Sequence, residues 1–213
     1  MKLSFSIQNW NTLRWHELCA AAEEIHLQGV EIYDINGPAF QGKDNPANPE
    51  LAQIAKRTLN RQKLCIPCID TVNDFTDARF EREFAECLEL AANLDVKYIS
   101  LHTACDDQDT CAGHVAALLR QTAHKPVRLL VEPSGAYADS ARLRDLLNRF
   151  ADDRLSALWN MHDTCVKGQE DAETTITNLG AYVRHVHLHD YRRDGEAVIP
   201  ELIGEGQLPL DEL

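Results

Sequence analysis

The stretch Val127-Arg128-Leu129-Leu130-Val131-Glu132-Pro133 decides the fold. It is a short, mostly apolar run, closed by a carboxylate and a proline. A second stretch, Val183-Arg184-His185-Val186-His187-Leu188-His189-Asp190, repeats the plan with imidazoles at its end. Both have the character of buried strands. In parallel α/β folds, chemistry collects at the C-terminal ends of such strands. A carboxylate closing one strand and an imidazole closing a later one suit a divalent metal site.

Working outward, strand and helix signals alternate along the chain. The expected strands are Leu3–Gln8, Gly29–Asp34, Leu64–Asp70, Val96–His102, Val127–Glu132, Leu155–Met161 and Val183–His189. Most are short and apolar on both faces. Between them lie helical stripes. Leu18, Ala22 and Ile25 share one face, with Gly29 as the expected stop. Asn48-Pro49-Glu50 is a start signal, with a capping side chain, a first-turn proline and an acid near the positive helix end. Phe80, Phe84, Cys87, Leu88 and Ala91 form a stripe, as do Leu143, Leu146, Leu147 and Phe150. Val115, Leu118 and Leu119 support a further helix, and Ile176 with Leu179 another. The irregular segment Asn36 to Asn48 follows the second strand, where a barrel places an active-site loop.

Seven βα units predict a (β/α)8 TIM barrel truncated after about the seventh unit, occupying residues 1–213 as one domain. The last helix and eighth strand are expected to be missing, and Leu210-Asp211-Glu212-Leu213 has the look of a helix's opening turn. An open seven-stranded sheet is the alternative, but it would leave two parallel edges exposed. A barrel open between its first and seventh strands would expose an apolar gap, through which copies could join as a homo-oligomer.

The 213 residues are 44% apolar, enough for a sizeable core. A net charge of −13 repels nucleic acid and anionic membranes, so neither is expected as a partner. No apolar run approaches the roughly 18 residues that cross a bilayer. The short apolar start, Met1-Lys2-Leu3-Ser4-Phe5-Ser6, does not fit a signal peptide, and a cytoplasmic location is expected. Seven cysteines without framework spacing are expected as reduced thiols. Cys65-Ile66-Pro67-Cys68 matches C-x-x-C. It lies inside an apolar strand-like run, however, and has no second C-x-x-C for a zinc knuckle.

Glu132, at the end of the fifth strand, would project into a barrel mouth. His185, His187 and His189 alternate with Val186 and Leu188, which places three imidazoles on one strand face. His187 is the expected ligand, and Asp190 a candidate acceptor fixing an imidazole tautomer. Asn160-Met161-His162-Asp163 closes the sixth strand with an amide, an imidazole and a carboxylate. His102 ends the fourth strand as a candidate substrate contact, and Glu31 lies in the second. In Tyr191-Arg192-Arg193 an arginine could clamp a hydroxyl, carboxylate or phosphate. Gly204-Glu205-Gly206 lacks the spacing of a nucleotide loop, and no G-x-S-x-G elbow is present.

Gly29-Val30-Glu31-Ile32, Leu130-Val131-Glu132-Pro133, the His185–Asp190 run and Ile203-Gly204-Glu205-Gly206-Gln207-Leu208-Pro209 together resemble the xylose isomerase-like TIM barrels. That group holds sugar and sugar-phosphate isomerases and epimerases and endonuclease IV. The resemblance implies a divalent metal (Mn, Mg, Co or Zn) held by Glu132 and His187, and a substrate arginine at Arg193. At strand six the family has Asp-x-x-His. Spacing places Asn160 at the Asp position and Asp163 at the His position. A shifted register makes Asp163 itself the ligand, which suits a hard cation better than an amide does. The family's strand-eight acid lies beyond Leu213.

The resemblance thus implies a metal-dependent isomerase or epimerase moving a proton through an enediolate of a sugar or sugar phosphate. Glu132 and Arg193 would be its catalytic residues, joined by His102 from its place at the end of the fourth strand, and Glu132, Asp163, His187 and Asn160 its metal residues. A degenerate sugar- or metal-binding module is the alternative. A phosphodiesterase like endonuclease IV is disfavoured by the charge and the ligand count.

Overall fold

A computed structural model of the chain describes residues 2–10, 12–41 and 45–210. They group into two units. One holds the residues up to Ser100 with Thr122–Arg128, and the other holds Leu101–Gln121 with the residues from Leu129 onward.

The first unit carries β1 (Ser4–Ser6), α1 (Trp15–Glu24), β2 (Gly29–Tyr33), α2 (Pro49–Gln62), β3 (Cys68–Asp70), α3 (Phe80–Leu94) and most of β4 (Tyr98–Leu101). Each strand pairs in parallel with the next, Phe5 against Val30, Ile32 against Ile69 and Ile69 against Ile99. All five residues of the predicted α3 stripe are buried. Asn48 caps α2 by accepting the Glu50 N–H at 3.0 Å, with Pro49 in the first turn.

Two expectations for α1 give way. The helix ends at Glu24 and the chain turns left-handed at His26, so Ile25 leaves the stripe and is 57% exposed. Gly29 does not stop the helix but opens β2. A Cβ there would lie 2.8 Å from the Cys65 carbonyl oxygen, so glycine lets the two segments approach. None of the seven cysteines is joined to another, and Cys68 is buried within β3.

The second unit carries α4 (Gln108–Gln121), β5 (Arg128–Val131), α5 (Ser140–Asn148), β6 (Leu155–Asn160), α6 (Met161–Val166), α7 (Ala172–Leu179) and β7 (Val183–His187). β5, β6 and β7 pair in parallel, with Leu130 against Ser156 and Asn160 against His187. β6 is buried at every position, as a strand covered on both faces should be. β7 differs. Its His185 and His187 are half-buried, but Arg184 and Val186 face solvent.

α5 buries Leu143, Leu146 and Leu147, while Phe150 lies beyond its end. Ile176 is 48% exposed, so only Leu179 of that predicted pair enters the core. The Glu170 carboxylate ties the two helices. It accepts from Ser140 N at 2.8 Å and from Thr175 Oγ1 at 3.0 Å.

After β7 the chain forms a hairpin of β8 (Asp190–Asp194) and β9 (Ala197–Glu201). Its two-residue loop has positive φ at Gly195 only, as a type II′ turn requires. Tyr191 and Leu208 anchor this segment in a cluster with Trp159, Met161 and Ala172.

Seven parallel strands alternating with helices make up the repeat of a TIM barrel, with no eighth parallel strand among the described residues. The expected closing turn at Asp211-Glu212-Leu213 lies outside the described residues. Among the described residues, no helix is long and apolar enough to cross a membrane.

Candidate active site

β5 ends at Val131, and Glu132 follows it, its N–H donating to the Leu101 carbonyl at 2.8 Å. Its side chain is only 18% exposed. Its Oε1 accepts a hydrogen bond from Asn160 Nδ2 at 2.7 Å and lies 3.9 Å from His187 Nδ1. The register of β6 and β7 explains the convergence, because Asn160 and His187 are direct partners across those strands. Burial pushes the Glu132 carboxyl up. The polar pull of His187, the Asn160 hydrogen bond and the charges of His187 and His102 outweigh it, so the group titrates below its ordinary range. Glu132 is therefore a carboxylate at neutral pH.

Asn160 does two jobs at once. It is the N-cap of α6, its Oδ1 accepting the Asp163 N–H at 3.2 Å. A backbone N–H can only donate, so the oxygen must face the helix. The nitrogen is then left to face Glu132.

Asp163 lies inside α6, 6% exposed. Its Oδ2 binds Lys167 Nζ at 2.7 Å and its Oδ1 lies 3.1 Å from His162 Nδ1. The three alternating imidazoles divide. His185 and His187 meet edge to face with centroids 5.3 Å apart, whereas His189 stacks on His162 at 4.5 Å. Tyr191 meets the His162 ring edge-on at 5.2 Å. Burial and then the neighbouring His162 push the His189 imidazole below its usual value, which keeps it neutral.

Asp190 serves the loop rather than an imidazole. Fully buried, it accepts four backbone N–H groups, from Tyr191 and Leu208 on Oδ1 and from Gly204 and Gly206 on Oδ2, all within 2.9 Å. The Leu208 hydrogen bond leads in holding its carboxyl down at about 2, burial opposing it.

The structure thus brings Glu132, Asn160 and His187 together, with His102 near enough for its charge to act on Glu132. Asp163 is committed to Lys167 and His162. Arg193 is exposed on β8, its backbone N–H donating to Gln207 Oε1 at 3.0 Å. Sequence reasoning passed over Lys167, although its position four residues after Asp163 on one helix was a signal for the pair.

Glu132 Oε1 and His187 Nδ1 are close enough to share a cation bonded at about 2.0–2.2 Å to each. The strand-six side chains add no third donor as they stand. Asn160 presents an N–H₂ group without a lone pair, and both Asp163 oxygens already face cationic or imidazole partners.

A parallel βα repeat with a carboxylate at the end of one strand and an imidazole at the end of the next strand but one has the layout of a TIM-barrel protein. Residues 19–213 match the model of the xylose isomerase-like TIM barrel family, and the chain belongs to that family. No curated protein matches it.

Among solved structures, it is similar to the IOLI protein with a binding zinc atom. That match has a TM-score of 0.83 and 14% identity, covering 99% of this chain and 82% of that one. It is also similar to the probable 3-DHS dehydratase AsbF from Bacillus anthracis, with a TM-score of 0.80, 15% identity and coverage of 100% and 87%. D-allulose 3-epimerase from Methylomonas sp. matches with a TM-score of 0.71, 10% identity and coverage of 99% and 77%. At these identities the likeness establishes the fold.

Proposed function

We propose that the chain catalyses isomerisation or epimerisation of a sugar or sugar phosphate, by moving a proton on a carbon next to a carbonyl. One observation carries the reading: Glu132 is a buried carboxylate, ionised at neutral pH, between the Asn160 amide and the His187 imidazole. A carboxylate so placed can take a proton from carbon and return it. The Asn160 N–H orients it, which fixes the direction from which the proton is removed. His102 lies near enough for its charge, when protonated, to act on Glu132. Arg193, on the hairpin, is assigned to substrate oxygens.

Glu132 and His187 are the residues that would hold a divalent metal ion. Such an ion supplies Lewis-acid stabilisation of charge on a substrate oxygen. The dehydratase and epimerase among the similar structures support an enzyme acting on a small polyhydroxylated substrate.

The test is conversion of a panel of keto- and aldo-sugars and their phosphates with Mn²⁺, Mg²⁺ or Co²⁺. Activity should fall sharply in Glu132→Gln. Turnover indifferent to that substitution rejects the reading.

A second reading, a binding module without turnover, draws on the pairing of Asp163 with Lys167 and of Glu132 with Asn160. Calorimetric binding of a sugar that the chain never converts would favour it.

A further inference from the structure

At the end of β6 the chain supplies its own donors to groups that a cation would otherwise satisfy. Asn160 Nδ2 sits 2.7 Å from Glu132 Oε1, and Lys167 Nζ sits 2.7 Å from Asp163 Oδ2. Neither arrangement depends on which way an ambiguous amide is drawn, because the Asp163 N–H fixes the Asn160 oxygen toward the helix. Turning the amide to offer its oxygen to a cation would uncap α6 and cost about 1 kcal/mol.

We propose that Asn160 sets the cation affinity of this site: its N–H₂ group occupies the place of a ligand, so Glu132 is held by a protein donor and divalent metal binds weakly. The inference rests on the reading of Glu132 and His187 as the pair that would hold a cation.

Substitution by Asp isolates the effect. Aspartate caps a helix as well as asparagine does, so α6 keeps its start. The nitrogen facing Glu132 becomes an oxygen, and two carboxylates then oppose each other at hydrogen-bond distance. Like charges so close are relieved by a proton or a cation between them. The same exchange converts a donor with no lone pair into a hard oxygen ligand. Lys167 neutralises Asp163 within the same helix, which keeps that carboxylate from taking over the role.

The experiment is calorimetric titration of the metal-free full chain with Mn²⁺, comparing the native protein, Asn160→Asp and the double variant Asn160→Asp/Glu132→Gln. Asn160→Asp is expected to bind Mn²⁺ about tenfold or more tighter than the native chain. The gain should vanish in the double variant. Without metal, Asn160→Asp should melt lower than native, and Mn²⁺ should restore it. Asn160→Ser keeps a capping oxygen on a shorter side chain but removes the amide N–H₂ that reaches Glu132, so it too should bind Mn²⁺ more tightly than native. Equal affinity in the native chain and both Asn160 variants, or a gain that survives Glu132→Gln, overturns the proposal. These titrations contain no sugar, so they are decided independently of the proton-transfer assay.

Discussion

Asp190 and Gly206 are locked together across sixteen residues: the Gly206 N–H donates to Asp190 Oδ2 at 2.9 Å. A Cβ on Gly206 would lie 2.2 Å from Asp190 Oδ1 and 2.5 Å from the Tyr191 carbonyl oxygen. The Gly204-Glu205-Gly206 turn is therefore built onto the start of β8, just after His187 and His189. Gly206→Ala should destabilise the protein by about 1–3 kcal/mol, because the clash is with groups that cannot rotate away. Gly204→Ala should cost less. Nothing lies within 4 Å of a Cβ there, and only its φ of +90° is disfavoured. Urea denaturation of the two variants checks the order.

Asp190 also makes an acid-stability prediction. Its carboxyl is held at about 2, below the ordinary 3.8, so the folded state prefers it charged. Its stabilisation is fully present above about pH 3.8 and is lost as pH falls toward 2. Asp190→Asn should be less stable than native at pH 7, with the difference shrinking through that window. Denaturation midpoints measured from pH 6 to pH 2 test this, and a constant difference would contradict it.

Much of this architecture was legible in the sequence. All seven parallel strands fall within the runs that alternation and apolar character mark out. The α3 stripe is buried throughout, because strand and helix periods are properties of the residues themselves. The hairpin was not foreseen. Asp194-Gly195 is a turn dipeptide, but the charges of Tyr191-Arg192-Arg193 mask its strand pairing. Asp190 looked like an imidazole partner because sequence does not show that four backbone N–H groups from eighteen residues of chain converge on it. Asn160 and Asp163 stayed ambiguous for a related reason. An Asn that caps a helix and an Asn that serves a metal have the same neighbours in sequence, and only the register with His187 and the bond to Glu132 separate them.

The core of the second unit offers a stability test. Leu143 is fully buried on α5. Leu143→Ala should cost about 2–5 kcal/mol, the range for a leucine truncated in a packed core. Exposed Ile176, which shares its apolar character but not its burial, should tolerate alanine within about 0.5 kcal/mol. Thermal or urea melts of the two variants separate the predictions.

Asn160→Ala removes both the cap of α6 and the donor to Glu132. The loss of the cap should cost about 1 kcal/mol. Without the amide, burial acts on Glu132 with less opposition and its titration should move upward. Carbon-13 NMR of the glutamate carboxyls across pH reads that shift, and an unchanged Glu132 titration would show that the amide does not hold the carboxylate.

The most direct test of the central claim is proton NMR of a sugar panel in D₂O, following deuterium entering the carbon next to the carbonyl. The native chain should catalyse exchange on at least one sugar, and Glu132→Gln should slow it by about 10²–10⁴-fold while remaining folded. Exchange that proceeds equally in Glu132→Gln would contradict the assignment of proton transfer to this carboxylate.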